Sequence, residues 1–232
     1  MSYVRSPLTF VPPQLPSLID QPPEGHEWLH EVKNDGFRTQ LLIERGKARA
    51  YTRTGIDGAT VFLVVLHAAR LPCRSAILDG EVVVLDKRGA SDFEALQATL
   101  RSRSAPAPLF AFDLLHHDGK DYRAVALRER RERLKELLDS DPKSVLQFSE
   151  EFVGDATAFF RACAEHRLEG MVSKLASSTY RSGRSKTWLK TKCFTESEFI
   201  LLGIDRDRKT RALRALLAKP STVRSYMQAP HF

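Results

Sequence analysis

The stretch Glu31-Val32-Lys33-Asn34-Asp35-Gly36-Phe37-Arg38 decides how the sequence is interpreted, because it holds one lysine in a defined setting. Lys33 lies two residues before an Asp-Gly pair and five before Arg38, with apolar residues on both sides of the group. Asp-Gly favours a turn, since glycine accepts a positive φ without steric cost. We therefore expect this lysine at the end of a strand. It is either a nucleophile activated by its surroundings or an ordinary charge on a surface hairpin.

Composition favours a globular protein with a polyanionic partner and argues against a disulfide-rich, zinc-binding or membrane-spanning protein. The 232 residues suffice for one sizeable domain with its own core, and the apolar content is ordinary for a globular protein. Lys and Arg total 36 against 29 Asp and Glu, and the net charge of +7 favours a polyanionic partner such as nucleic acid. Three widely spaced cysteines fit neither a disulfide framework nor a zinc site, so we expect a reducing, cytoplasmic setting. No apolar run predicts a membrane span or a signal core.

The first part of the chain predicts an extended arm followed by β-structure. Six prolines within residues 1–25 forbid a regular helix and favour an extended segment that runs over a surface. Turn residues at 35–36 and 45–46 divide residues 28–53 into three strands, which we interpret as an antiparallel meander. Residues 57–70 have the apolar spacing of one helical face.

Glu81 stands at the entrance to a nearly continuous apolar strand over residues 77–85. A carboxylate that leads into Val-Val-Val-Leu is expensive to bury unless it meets a cation or a metal. The alternative is that Glu81 flanks the strand in solvent. The sequence leaves both interpretations open.

The middle of the chain predicts a helix over residues 92–100 and a buried strand over residues 109–115. His116 and His117 follow that strand at an Asp-Gly hairpin, and we interpret them as a polar tip because adjacent strand residues point to opposite faces. Residues 126–140 predict an amphipathic surface helix whose charges face solvent.

A further helix is predicted over residues 155–166, with Asp155 as its N-cap and with Phe159 and Phe160 in the core. Residues 180–192 then hold five cations and no acid. In an extended strand Trp188, Lys190 and Lys192 share one face, and aligned lysines suit a phosphate. A general basic surface is the alternative interpretation.

The chain contains neither Gly-x-x-x-x-Gly-Lys-Ser/Thr nor Gly-x-Gly-x-x-Gly, so a nucleotide would need another binding scheme. Over residues 7–204 the order of short motifs resembles that of the covalent nucleotidyltransferases, most closely the bacterial ATP-dependent DNA ligases of the end-joining type. The matching segments are Lys-Asn-Asp-Gly-Phe-Arg (33–38), Thr-Arg-Thr-Gly (52–55), Asp-Gly-Glu (79–81), Phe-Asp-Leu-Leu (112–115), Glu-Gly-Met-Val-Ser-Lys (169–174) and Trp-Leu-Lys-Thr-Lys (188–192).

This resemblance implies an α+β fold, an ATP-grasp-like nucleotidyltransferase domain of antiparallel β-sheets flanked by helices, followed by an incomplete OB-fold segment. We expect a Pro-rich arm at 1–25, an adenylation domain at 26–195 and the truncated OB segment at 196–232. Strands expected at 198–204 and 212–219 are too few for a five-stranded barrel. The family's final basic motif has no match, so we expect impaired self-adenylylation unless a partner protein supplies the missing barrel.

The resemblance also implies the chemistry. Lys33 would take AMP from ATP and pass it to a 5′-phosphate in nicked or broken duplex DNA, after which the strand is sealed. Lys190 and Lys192 would assist catalysis, Phe112 would stack on adenine, and Mg²⁺ or Mn²⁺ would bind Glu169, with Glu81 near the ribose or the metal. The expected ATP-binding residues are Glu31, Val32, Arg38, Arg53, Glu81, Phe112, Lys174, Lys190 and Lys192.

Two other classes of function remain open at the level of sequence. An RNA ligase or a GTP-using capping enzyme shares the lysine chemistry and would differ in its nucleotide or its nicked substrate. A non-catalytic DNA-end-binding remnant would bind nicked duplex in a salt-dependent way without forming covalent AMP. We expect a monomer in each case.

Overall fold

The computed structural model describes residues 8–58, 62–102, 107–139, 144–193, 199–208 and 211–218. The chain divides into two units, Met1–Cys193 and Phe194–Phe232. The strands of the first unit are β1 (Gln14–Leu18), β2 (Trp28–Val32), β3 (Phe37–Glu44), β4 (Lys47–Thr52), β5 (Ser75–Val82), β6 (Leu109–His117), β7 (Lys120–Asp121), β8 (Leu146–Phe148), β9 (Gly170–Leu175) and β10 (Gly183–Lys192). Its helices are α1 (Phe62–Ala68), α2 (Phe93–Ser102), α3 (Leu127–Leu138) and α4 (Ala156–Glu165).

Two sheets organise the first unit. One has four strands in the order β1-β10-β9-β2, and the other has six, in the order β4-β3-β5-β6-β7 with β8 beside β6. Neighbouring strands are antiparallel except for the parallel pairs β1/β10 and β6/β8. The predicted α+β fold of mainly antiparallel sheets with helices is therefore confirmed.

The predicted meander over residues 28–53 is confirmed for β3 and β4, which pair as an antiparallel hairpin, but it is wrong for β2. Strand β2 pairs with β9, whereas β3 pairs with β4 and β5, so the segment between β2 and β3 crosses from one sheet to the other. Gly36 lies in this crossover without a positive φ. A Cβ atom there would lie 2.1 Å from the carbonyl oxygen of Val82. Close approach of two backbones, and not turn geometry, therefore requires glycine at this position.

The central six-stranded sheet is buried on both faces, which explains its uninterrupted apolar runs. In β3, Leu41 and Ile43 pack in a cluster that also contains Val64 of α1 and Leu96 of α2. Leu42 points the other way, into a second cluster shared with the four-stranded sheet. The members of that second cluster are Val11, Leu29, Leu42, Ile77, Leu115, Leu127, Ala176, Tyr180 and Trp188.

The Pro-rich arm is more integrated than the sequence indicates. Residues 14–18 are extended, as expected, but they form the edge strand β1 of the four-stranded sheet. Gln14 is fully buried, and its backbone N–H donates to the hydroxyl of Tyr180 at 3.0 Å. Residues 1–7 of the predicted arm lie outside the described residues.

Local predictions are confirmed at several turns and caps. The hairpins at Arg45-Gly46 and Asp118-Gly119 have positive φ at both positions, the geometry that two-residue hairpin loops need. Asp155 caps α4, because its carboxylate accepts a hydrogen bond from the N–H of Ala158 at 2.8 Å. The helix predicted over 57–70 is shorter; residues 59–61 lie outside the described part, and Asp57 forms a β-bridge with Tyr51.

The second unit contains an antiparallel hairpin of β11 (Ile200–Arg206) and β12 (Leu213–Ala218). These are the two strands that the sequence predicts, while the rest of the tail beyond residue 218 lies outside the described residues. Assignment of this hairpin to an OB fold stays a prediction. No helix in the described part of the chain is long and apolar enough to cross a membrane.

Candidate active site

A cleft of about 940 Å³ opens in the first unit, between the ends of its two sheets. Most of the predicted site residues line it, while Lys192 and Glu169 do not. Those that line the cleft are Glu31, Val32, Lys33, Arg38, Arg53, Glu81, Phe112, Lys174 and Lys190. Arg53 is exposed at the cleft wall.

Lys33 follows β2 directly, as the sequence predicts. Its backbone N–H donates to the carbonyl oxygen of Gly170 at 2.9 Å, which fixes the end of β2 against the start of β9. Its side chain is 18% exposed and contacts one oxygen of Glu169, while Lys192 Nζ lies 3.2 Å from the other oxygen. One carboxylate therefore holds two of the predicted catalytic lysines together.

Sheet register places the remaining cations on the same face. Glu31 pairs with Val172, Val172 pairs with Lys190, and Lys174 pairs with Trp188 across adjacent strands. Because residues two apart on a strand share a face, these side chains all point to the same side of the sheet. The sequence predicts a common face for Trp188, Lys190 and Lys192. Trp188 and Lys190 both line the cleft, whereas Lys192 is not among the lining residues and contacts Glu169.

Glu31 is the anchor of a buried charge network. It is 3% exposed, and its Oε1 atom lies 2.6 Å from Lys174 Nζ and 3.0 Å from Arg131 Nη1. Its Oε2 atom accepts a hydrogen bond from the hydroxyl of Ser149 at 2.8 Å. Burial lowers the pKa of Lys174 to about 8, although the Glu31 carboxylate acts in the opposite direction.

Phe112 presents an aromatic ring to the cleft close to two cations. Lys174 Nζ lies 4.2 Å and the Arg38 guanidinium 4.6 Å from the ring centroid. Trp188 meets the ring edge-on at 6.0 Å between centroids. The cations are attracted to the electron-rich face of the ring, which keeps its plane fixed.

Arg38 has a carboxylate partner that the sequence analysis did not assign. Asp79 accepts two hydrogen bonds from the guanidinium, each at 2.7 Å, and a third from the hydroxyl of Tyr180 at 2.6 Å. This bidentate arrangement holds Arg38 at the cleft wall. Asp79 is the first residue of the matched Asp-Gly-Glu segment, and this position could have indicated a role for its carboxylate at the cleft.

Glu81 lines the cleft and is half-buried, so the structure favours the interpretation in which it meets cations. Burial raises the pKa of its carboxyl to about 7, while Arg38 and Lys33 act in the opposite direction. At the opposite wall, burial and the neighbouring Lys192 and Lys33 lower the pKa of Lys190.

The surface-helix interpretation of residues 126–140 is wrong for two arginines. Arg130 and Arg131 of α3 are 0% and 2% exposed, because they pair with the buried carboxylates of Asp113 and Glu31. Their spacing gave a signal: both fall within one turn of Leu127 and Leu134, and so on the apolar face of the helix.

A divalent cation fits this cleft only with help from a substrate. Across the described ranges, no three histidine, cysteine or carboxylate side chains cluster closely enough to hold a metal ion by themselves. Glu169 and Glu81 both lie near Lys33, the first in direct contact and the second within electrostatic reach. One or two carboxylates completed by substrate phosphates are the usual way in which proteins bind Mg²⁺.

Comparison with known proteins identifies the family. The family described as "ATP dependent DNA ligase domain" matches residues 16–192. The chain is 39% identical over 204 residues to the multifunctional non-homologous end joining protein LigD of Pseudomonas aeruginosa, covering 87% of this chain and 24% of that protein. It is 30% identical over 228 residues to the SPbeta prophage-derived DNA ligase-like protein LigB of Bacillus subtilis, covering 96% of this chain and 81% of that protein.

The fold agrees with solved structures. A mycobacterial DNA ligase D complexed with ATP and MES superposes with a TM-score of 0.70 at 29% identity, covering 84% of this chain and 64% of that one. The ligase domain of LigD from M. tuberculosis gives a TM-score of 0.69 at 27% identity, covering 82% of this chain and 62% of that one. The chain thus spans about a quarter of the P. aeruginosa relative and carries a domain of matching fold. It belongs to the ATP-dependent DNA ligase family.

Proposed function

We propose that this chain is the catalytic adenylation domain of an ATP-dependent DNA ligase that seals breaks during repair or end joining. The observation that carries the proposal is the placement of Lys33 at a cleft lined by cations and by an aromatic ring, with Glu169 bridging Lys33 and Lys192. A lysine in such a setting suits nucleophilic attack on a phosphate. The names of the end-joining relatives support the biological role.

In the first step, the deprotonated Lys33 amine attacks the α-phosphorus of ATP. A nitrogen–phosphorus bond forms, the bond to the bridging oxygen breaks, and pyrophosphate leaves with the electron pair, while the lysine nitrogen releases one proton to solvent. Lys190 and Lys192 stabilise the negative charge that builds on the phosphate oxygens. Lys174 adds a buried cation near the base end of the cleft.

In the second step, an oxygen of a DNA 5′-phosphate attacks the lysine-bound AMP, the nitrogen–phosphorus bond breaks, and Lys33 regains a proton. In the third, a 3′-hydroxyl attacks the activated 5′-phosphate, loses its proton and displaces AMP, which seals the strand. The basic strand β10 supplies cations for the DNA backbone.

The positions of the cleft-wall residues support the following proposed nucleotide-binding roles. Phe112 offers its ring to adenine, and Glu31 and Val32 contact the base from the end of β2. Arg38 and Arg53 bind the ribose and the nick phosphate, with Glu81 near the ribose. Bound Mg²⁺ or Mn²⁺ would be held by Glu169 and Glu81 together with the triphosphate, and would supply charge neutralisation.

We propose residues 26–195 as the adenylation domain, 1–25 as an N-terminal arm and 196–232 as an OB-fold segment. We propose that a protein partner that binds the hairpin β11–β12 assists the first step. We propose that the protein acts as a monomer in the cytoplasm.

The test compares substrates. Purified protein is given ATP or GTP with Mg²⁺ and a singly nicked DNA or RNA duplex, and a second series supplies a pre-adenylylated DNA nick. We expect the DNA nick to be sealed with ATP and not with GTP. If only the first step is slow, we expect the pre-adenylylated DNA nick to be sealed. Sealing restricted to RNA, covalent transfer restricted to GTP, or salt-dependent binding to nicked DNA without any chemistry would contradict the proposal.

A further inference from the structure

Arg131 lies on α3, outside every sequence motif of the cleft, yet its guanidinium reaches the cleft wall. It is 2% exposed and donates four hydrogen bonds. Nη1 donates to Glu31 Oε1 at 3.0 Å and to the carbonyl oxygen of Phe112 at 3.1 Å. Nη2 donates to the carbonyl oxygen of Ser149 at 2.6 Å, and Nε donates to Glu151 Oε2 at 2.6 Å.

Three of these acceptors belong to residues that line the cleft. Glu31 lies on β2, Phe112 lies on β6, and Ser149 follows β8, so they come from separate segments of the chain. A guanidinium is planar, and its N–H groups point in fixed directions. One such group therefore sets the relative positions of the carboxylate and the aromatic ring in this part of the cleft.

The Glu31 carboxylate can accept a hydrogen bond from the edge of a base. Its Oε1 atom is occupied by Lys174 and Arg131, and its Oε2 atom accepts one hydrogen bond, from Ser149. An ionised carboxylate has about four acceptor positions and no donor, so Oε2 retains acceptor capacity. A base that stacks on the neighbouring Phe112 is favoured if its edge carries an amino group, as in adenine. A carbonyl at that place, as in guanine, would face the carboxylate without a hydrogen bond.

We propose that Arg131 is a positioning residue that sets base selectivity, because it holds the Glu31 carboxylate and the backbone of Phe112 in fixed relation. This inference rests on the proposed function and specifies how that same site distinguishes ATP from GTP. Arg131 acts through Glu31 and Phe112, and does not itself contact the nucleotide.

The neighbouring Arg130 offers a matched control. It is 0% exposed, and its Nε and Nη2 atoms donate to Asp113 at 2.7 Å and 2.8 Å. Its Nη1 atom donates to the carbonyl oxygens of Val125 and Ser178 at 2.7 Å and 2.9 Å. Asp113, Val125 and Ser178 are not among the residues that line the cleft. Loss of the Arg130 fork therefore removes a similar set of buried contacts, and none of these contacts is made to a residue that lines the cleft.

The experiment compares Arg131→Lys with Arg130→Lys. Lysine keeps the positive charge and lacks the planar fork. Transfer of the nucleotide to Lys33 is measured over a range of ATP and GTP concentrations, and Tm is recorded for each protein. We expect Arg131→Lys to lower the ATP/GTP ratio of kcat/KM by about tenfold, mainly through a higher KM for ATP. Arg130→Lys should lower Tm to a similar extent and leave the ratio unchanged.

Equal loss of selectivity in both variants, or an unchanged ratio in Arg131→Lys, would overturn the inference. The milder Ser149→Ala removes only the hydroxyl that holds Glu31 Oε2, and should lower the ratio in the same direction. If Arg131→Lys does not fold, an unchanged ratio in Ser149→Ala refutes the assignment. A wild-type protein that never acquires AMP would instead refute the proposed function, and the inference with it.

Discussion

Replacement of Glu81 by glutamine tests the electrostatics of the cleft. Burial raises the pKa of this carboxyl to about 7 from its ordinary value of 4.5, so the folded protein binds the proton more tightly than the unfolded chain. The stability that this binding contributes is fully present below about pH 4.5 and is lost as the pH rises through about 7. Glutamine is neutral at every pH, so the stability of Glu81→Gln relative to the wild type should rise with pH.

The magnitude follows from the shift. A rise in the pKa of Glu81 from 4.5 to about 7 changes the free energy of unfolding of the wild type by about 2.6 kcal/mol between about pH 5 and about pH 8.5, relative to Glu81→Gln. Because Glu81 is only half-buried, solvent screening should reduce this to about 1.3 kcal/mol.

Urea unfolding at the two pH values, followed by tryptophan fluorescence, measures the difference directly. Trp188 is 1% exposed and should report the loss of packing. Glu165→Gln, at an exposed position of α4, controls for the substitution itself. The free energy of unfolding of Glu81→Gln minus that of the wild type should be larger at the higher pH. If this difference is the same at both pH values, or falls as pH rises, the pKa of Glu81 is not raised in the folded protein.

Three further substitutions test the structure around the cleft. Asp113→Asn should lower the free energy of unfolding by about 3 kcal/mol, because Arg130 loses its carboxylate partner in a pair that is 0% exposed on both sides. A loss below about 1 kcal/mol in urea unfolding would contradict this. Gly170→Ala should cost at least about 2 kcal/mol and slow AMP transfer, since φ is +141° and a Cβ would lie 2.1 Å from the Thr191 oxygen; wild-type stability and rate would exclude the clash. Glu169→Ala should slow metal-dependent AMP transfer to Lys33 about 10- to 100-fold with Tm nearly unchanged, and an unaltered rate and metal dependence would remove its assigned role.

Local features of the fold could be predicted from the sequence. The alternation of side chains along β10 placed Trp188 and Lys190 on one face, and the Asp-Gly pair at 118–119 predicted a hairpin. These patterns depend on neighbouring residues only. Pairing of β2 with β9 joins residues more than a hundred positions apart, and the apolar pattern of a strand does not identify its partner.

The position of a residue at the cleft could be predicted where a motif supplied that residue, as with Lys33 and Phe112. Arg131 was missed because its neighbours in sequence are charged, and a charged run is ordinarily solvated. What buries it is the carboxylate of Glu31, 100 residues away, which offsets the cost of removing the guanidinium from water. Burial of a charge depends on its partner, and the partner is fixed only by the tertiary fold.

The proposed function depends on the covalent adenylylation of Lys33. The most direct measurement is the intact mass of the purified chain after incubation with ATP and Mg²⁺, followed by peptide mapping, with Lys33→Ala treated in parallel. We predict a gain of one AMP in the wild type, mapped to the peptide that contains Lys33, and no gain in the variant. An AMP adduct that persists in Lys33→Ala, or that maps to another residue, would contradict it.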